Sequence, residues 1–101
     1  MPGVARDGDS TTTGHGCDGS TTVTGPTGNS AKVYADGIAV ECKGDPTASH
    51  RYGGTGCSLS HVTSIGAGSE TVFVGGKAIA RIGDSVESGA ITGGSSTVFA
   101  G

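Results

Sequence analysis

Ser30-Ala31-Lys32-Val33-Tyr34-Ala35-Asp36-Gly37-Ile38-Ala39-Val40-Glu41-Cys42-Lys43-Gly44-Asp45 aligns without a gap on Ser69-Glu70-Thr71-Val72-Phe73-Val74-Gly75-Gly76-Lys77-Ala78-Ile79-Ala80-Arg81-Ile82-Gly83-Asp84, 39 residues further on. Each copy reads as a strand, a two-residue turn, a second strand and Gly-Asp. Asp36-Gly37 and Gly75-Gly76 suit a type I′ hairpin, which needs φ > 0 at both central residues. The chain begins with the second half of the unit, Val4-Ala5-Arg6-Asp7-Gly8-Asp9. It ends with the first half, Ser95-Ser96-Thr97-Val98-Phe99-Ala100-Gly101. Joining the ends gives a third copy, so three units stand in a circle with the chain break inside one of them. The expected fold is all-β: three short hairpin units packed around one axis, spanning 1–101 as a single domain.

Composition explains why such a chain needs help to fold. Of 101 residues, 21 are Gly, and Gly, Ser and Thr together make 46. Val, Ile, Leu and Phe total 17 and Trp is absent. That is a thin core, and small scaffolds of this kind are usually stapled by a metal, disulfides or oligomerisation. Helix is disfavoured by propensity and by the lack of any 3.6-residue apolar stripe. Gly66-Ala67-Gly68-Ser69 and Gly93-Gly94-Ser95 read as further tight turns. Six scattered Lys and Arg residues and a net charge of −3 give no basic patch for nucleic acid. No apolar run reaches the roughly 20 residues of a membrane span, and Met1 to Asp7 hold no signal-peptide core. Synthesis in the cytoplasm without a leader is the expectation.

The segments after each Gly-Asp carry every histidine. His15 and Cys17 follow Asp9; His50, Cys57 and His61 follow Asp45; the segment after Asp84 holds Glu87 and no His or Cys. Equivalent loops of a three-fold arrangement point the same way, so their histidines converge at one end. Three His and one Cys make a four-coordinate site, and the soft thiolate suits zinc. The candidate ligands are His15, His50, Cys57 and His61, around one structural zinc ion. Cys17 is the rival for the sulfur position. A Cys17–Cys57 disulfide is an alternative that would need an oxidising compartment. With an odd count of three cysteines, metal or free thiol is the better fit. Cys42, in a strand at the position of Arg6 and Arg81, reads as half-buried and not a ligand. The 46–61 segment is long for a loop and needs something to tie it down.

These residues resemble the PAAR-repeat family. The matching stretches are Gly3-Val4-Ala5-Arg6-x-Gly8-Asp9, Ala78-Ile79-Ala80-Arg81-Ile82-Gly83-Asp84, and the Gly-Ser-x-Thr-Val-Phe-type strands at 68–73 and 94–99. The resemblance covers essentially the whole chain. It implies a cone of hairpins with a zinc near the apex held by three His and one Cys. It also implies a position on the blunt end of a trimeric β-helical spike, one copy per trimer, in a type VI secretion apparatus or a contractile phage tail. The tip would sharpen the spike and touch the target membrane transiently during puncture. No small-molecule substrate and no effector extension are expected, and delivery is outward from the assembled machine. The middle unit departs from the pattern, with Val40-Glu41-Cys42 where Ala-Ala-Arg is expected. In the third unit, Glu87-Ser88-Gly89 stands where many members carry a Cys, which leaves that segment without an obvious ligand. Alternatives to a spike tip are a small zinc hydrolase, using His15, His50 and His61 with an open position, and a zinc-stabilised binding module. The enzyme alternative suffers from a core too small to wall a pocket.

Overall fold

The computed structural model describes residues 1–26 and 32–101. The first two residues of the repeated stretch, Ser30 and Ala31, therefore lie outside the described part. The described chain is elongated, 41 × 24 × 22 Å, and holds ten short strands with no helix among them. They pair as five antiparallel hairpins: β1 (Ser10–Thr12) with β2 (Ser20–Thr22), β3 (Tyr34–Ala35) with β4 (Ile38–Ala39), β5 (His50–Gly53) with β6 (Leu59–His61), β7 (Phe73–Val74) with β8 (Lys77–Ala78), and β9 (Ser85–Val86) with β10 (Gly89–Ala90). The hairpin turns expected at Asp36-Gly37 and Gly75-Gly76 are present, with φ of 55° and 78°, and 57° and 84°.

The three-fold relation is visible bond by bond. Ala5, Glu41 and Ala80 occupy equivalent positions and close a ring: Glu41 N–H donates to Ala5 C=O, Ala5 N–H to Ala80 C=O, and Ala80 N–H to Glu41 C=O, each at 2.9 Å. Below the ring, the same contact occurs as Val4 N–H to Val98 C=O, Val40 N–H to Val33 C=O and Ile79 N–H to Val72 C=O. Above it, Gly8, Gly44 and Gly83 donate to the carbonyls of Val23, Ile65 and Ile91. The ends of the chain supply their share: Gly3 bridges Phe99, so the split third unit is rebuilt from the two termini. Asp36 fastens it, accepting hydrogen bonds from Ser95 and Thr97 hydroxyls and from the Arg6 guanidinium.

Packing follows the same layers. One buried cluster holds Val4, Val40 and Ile79 with Ala35, Val74 and Ala100; Cys42 joins it. The next holds Val23, Ile65 and Ile91 with Ala5, Ala80 and Val86. Cys42 is fully buried, not half-buried. It replaces the Arg of the other units, whose guanidiniums pair with Asp9 and Asp84. In the middle unit Lys77 reaches Asp45 at 3.0 Å and supplies the cation from the neighbouring hairpin. Gly68 and Gly94, expected in tight turns, serve close approach instead. A Cβ on Gly68 would stand 2.8 Å from the Ala78 side chain and 2.9 Å from its backbone oxygen; one on Gly94 would stand 2.8 Å from Ile82. These two glycines let one unit cross the face of the next.

Glu41 breaks the pattern most sharply. Its sister positions carry alanine methyls, yet its carboxyl is fully buried and neither oxygen has a hydrogen-bond partner among the described residues. Burial pushes its pKa up to about 9; Asp45, Asp7 and Asp9 add to the rise and Lys77 opposes it. The folded chain thus keeps a proton that the unfolded chain loses above an ordinary value of 4.5. The folded state is favoured most below that value, and this advantage drains away as the pH climbs toward 9. Glu41→Gln removes the slope. Melting curves should show the variant gaining on the natural chain between pH 5 and 8, by about 3 kcal/mol at neutral pH. Parallel stability profiles would contradict the assignment.

Candidate metal centre

The narrow-end loops and hairpins bring four side chains together. β5 and β6 pair His50 directly opposite His61. Cross-strand partners share a face, so both imidazoles project to the same side. His15 comes from the loop between β1 and β2. Its ring centroid lies 5.3 Å from each of the other two, while His50 and His61 lie 4.5 Å apart. Glu87 comes from the turn between β9 and β10, at φ 53°. One potential ligand atom from each of His15, His50, His61 and Glu87 falls within 4.8 Å of all the others, an arrangement that could hold a metal ion.

The carboxylate stands among the three rings. Oε1 lies 3.0 Å from His15 Nε2 and 2.8 Å from His61 Nε2; Oε2 lies 2.7 Å from His50 Nε2. The Nε2 atoms of His61 and His50 are 2.9 Å apart. On their far sides, His15 Nδ1 faces the Gly16 carbonyl at 2.8 Å and His50 Nδ1 faces the Ala48 carbonyl at 2.9 Å. A carbonyl takes the Nδ1 proton and leaves Nε2 as the lone-pair donor, the orientation that outer partners give metal-binding imidazoles. Without a metal, filling every contact would require imidazolium on both rings, two cations stacked side by side. A single divalent ion at the shared Nε2 side removes that conflict, so the donor set fits a metal. The hydrogen bond to the Gly16 carbonyl and the nearby Glu87 charge raise the pKa of half-buried His15 against some opposing desolvation. Burial raises the Glu87 carboxyl, but the hydrogen bonds and charges of His50 and His15 outweigh it and hold the group below its ordinary value.

Three of the four ligands expected from sequence meet here, and Cys57 does not. Its Sγ is bonded to Cys17, across 40 residues. The pair expected to compete for one metal position instead spend their sulfurs on each other, and the soft-ligand argument for zinc no longer applies. Both cysteines adopt positive φ, 69° and 57°, at the tips of their loops. The 46–61 segment is not a bare loop: it contains the β5–β6 hairpin, tied down by the disulfide. The third segment does supply a donor, Glu87. The signal for it lay in the circular repeat itself. If the segments after Asp9 and Asp45 converge, the one after Asp84 must converge too, and Glu87 is its single carboxylate beyond the Gly-Asp.

Gly14 seats the His15 loop on the Glu87 turn. At φ 74°, its missing side chain leaves room for the Ser88 backbone; a Cβ there would stand 2.5 Å from the Ser88 carbonyl atoms. Ser88 N–H in turn donates to Thr13 C=O at 3.2 Å. Tyr52 stacks on His61 at 4.2 Å and covers its outer face.

A circle of hairpins, with three imidazoles and a carboxylate that could hold a metal ion gathered at one end, defines a small all-β fold built around one axis. The chain belongs to the PAAR motif family, whose family model matches residues 13–91 and 55–101. This is a structural family of spike tips in type VI secretion systems and phage tails. A search of curated proteins found no match.

Two substitutions test the site. Glu87→Ala should lower affinity for a divalent first-row metal by at least about tenfold, measured by competition with a chromophoric chelator. Gly14→Ala should also weaken binding, although it touches no ligand atom, because it pushes the His15 loop off the Glu87 turn. Cys42→Ser, in the basal core, should leave affinity unchanged. Affinity should fall as the pH is lowered, because protons compete with the metal for the ligand atoms.

Proposed function

We propose that this protein caps the trimeric β-helical spike of a contractile injection machine, with one chain per trimer and one structural zinc ion at its point. The observation that carries this is the blunt end of the cone. There Val33-Tyr34, Val72-Phe73 and Val98-Phe99 repeat around the axis, and all six side chains are exposed. Large apolar side chains in a repeated ring are unusual on an isolated surface and suit burial against a partner. A single chain with three quasi-equivalent faces meets a true trimer with three similar contacts, which fixes the ratio at one to three.

At the opposite end, crosslinking replaces core. The cluster of three imidazoles and a carboxylate offers the N and O donors that zinc accepts in four-coordinate sites. Four protein ligands leave no open position of the kind a catalytic zinc keeps, which favours a staple over a hydrolase. Zinc joins three segments that share little apolar packing, and so stiffens a point that carries load when a membrane is pierced.

Co-purification with a trimeric β-helical spike protein should give one chain per three spike chains. Val72→Asp with Phe73→Ser should abolish that association while metal content stays at one equivalent. Chelation should lower the melting temperature of the isolated chain by several degrees. Binding of one chain per spike monomer, or indifference to the paired substitution, would overturn the docking assignment.

A further inference from the structure

Cys17 lies two residues beyond His15, and Cys57 lies in the connection between β5 and β6, the hairpin that carries His50 and His61. Their bond therefore joins the two elements that present all three imidazoles. Besides the ring contacts of the cluster itself and the Ala48 N–H to Thr22 C=O bond at 2.9 Å at the base of the two hairpins, the same two elements are linked beside the disulfide by an exposed patch of contacts. Asp18 N–H donates to the Arg51 carbonyl at 3.1 Å. The Asp18 carboxylate accepts from Arg51 N–H at 2.7 Å and from its guanidinium at 3.0 and 3.3 Å. Exposed ion pairs of this kind hold weakly. The disulfide is the strong tie, and its sulfurs are not among the four clustered ligands.

We propose that the Cys17–Cys57 pair is a redox strap that sets metal affinity at the tip: closing the disulfide tightens metal binding, and opening it loosens the site. The inference rests on the reading of the His15–His50–His61–Glu87 cluster as a metal centre. With the strap closed, the loop 13–19 is already held against the β5–β6 hairpin, so little ordering remains to be done when the ion arrives. With two thiols in its place, that ordering opposes binding. A thiolate ligand would give the reverse behaviour, because oxidation would remove a donor. Here Glu87 fills that role, so oxidation and metal loading proceed together.

The chemical step is thiol–disulfide exchange with a low-molecular-weight disulfide of the glutathione class. The Cys17 and Cys57 thiols give up two protons and two electrons; one protein disulfide forms, one glutathione disulfide is cleaved, and two glutathione thiols result. Thermodynamic linkage makes the coupling reciprocal: if the disulfide strengthens metal binding by some factor, bound metal shifts the exchange equilibrium toward the disulfide by that same factor.

The test measures zinc affinity by chelator competition for the full chain, oxidised and then reduced with a phosphine. The expected result is at least tenfold weaker binding after reduction. The Cys17→Ser, Cys57→Ser double variant should match the reduced natural chain and ignore the redox state of the buffer. As an independent readout, the chain is equilibrated in glutathione buffers with zinc held saturating or chelated, and trapped thiols are counted by mass. The disulfide fraction should rise with zinc by a factor in the equilibrium constant equal to the affinity ratio. Equal affinity in both forms, or tighter binding after reduction, overturns the strap and leaves the metal centre standing. A chain that binds no zinc in either form overturns both. The natural chain alone decides the matter even if the double variant does not fold.

Discussion

Three backbone hydrogen bonds, passed in a circle from Ala5 to Ala80 to Glu41 and back, are the constraint on which the other layers depend. Each bond joins a different repeat unit to the next, so no unit can shift along the axis without breaking two of them. The apolar layers on either side are built from the same three units: Val4, Val40 and Ile79 with Val74 in one, and Val23, Ile65 and Ile91 with Val86 in the other. A chain with 17 Val, Ile, Leu and Phe residues can fill such a narrow axis because each layer holds only four of them. The ring also fixes direction. The β3–β4 and β7–β8 hairpins lie toward the apolar base, and the segments that carry His15, His50, His61 and Glu87, each following a Gly-Asp, lie toward the point.

This polarity explains how a polar cluster comes to sit where it does. Toward the point the layers change from aliphatic side chains to buried threonines, Thr11, Thr13 and Thr47, and then to imidazoles. Apolar packing fades as the cross-section narrows, and directional bonds take over. His50, the most buried of the three histidines, is fixed by a carbonyl on one nitrogen and a carboxylate on the other. The disulfide and the Asp18–Arg51 contacts lie outward of this cluster along the same two elements. Stability at the tip is therefore a matter of crosslinks between loops, and at the base a matter of side-chain burial. Glu41 sits on the ring between the two regimes, a buried carboxyl where its sisters carry methyls.

Much of this was legible in the residues. The gap-free repeat and the split third copy pointed to three hairpin units around one axis, the family resemblance to a cone, and Asp-Gly and Gly-Gly to the type I′ turns. The convergence of His15, His50 and His61 followed from their places after Gly-Asp. What misled was local spacing. Cys57, four residues before His61, looked like a ligand pair, but residues on one hairpin connection need not face the axis, and positive φ at Cys57 turns its backbone toward Cys17 instead. Glu87 was passed over because it had no histidine beside it in sequence; its neighbours are supplied by the other two units. Both errors came from weighing neighbours along the chain above equivalence around the axis. Gly68 and Gly94 were mistaken for turns for a similar reason, since a close approach between units leaves no trace in the local sequence.

The central claim is that the point of the cone is closed by three imidazoles and a carboxylate, with both nearby sulfurs withdrawn into a bond with each other. X-ray absorption at the zinc edge, on the zinc-loaded chain, addresses it directly. The account predicts a first shell of nitrogen and oxygen at about 2.0–2.2 Å, with imidazole scattering beyond it. A sulfur scatterer at about 2.3 Å would place a cysteine on the metal and contradict the account.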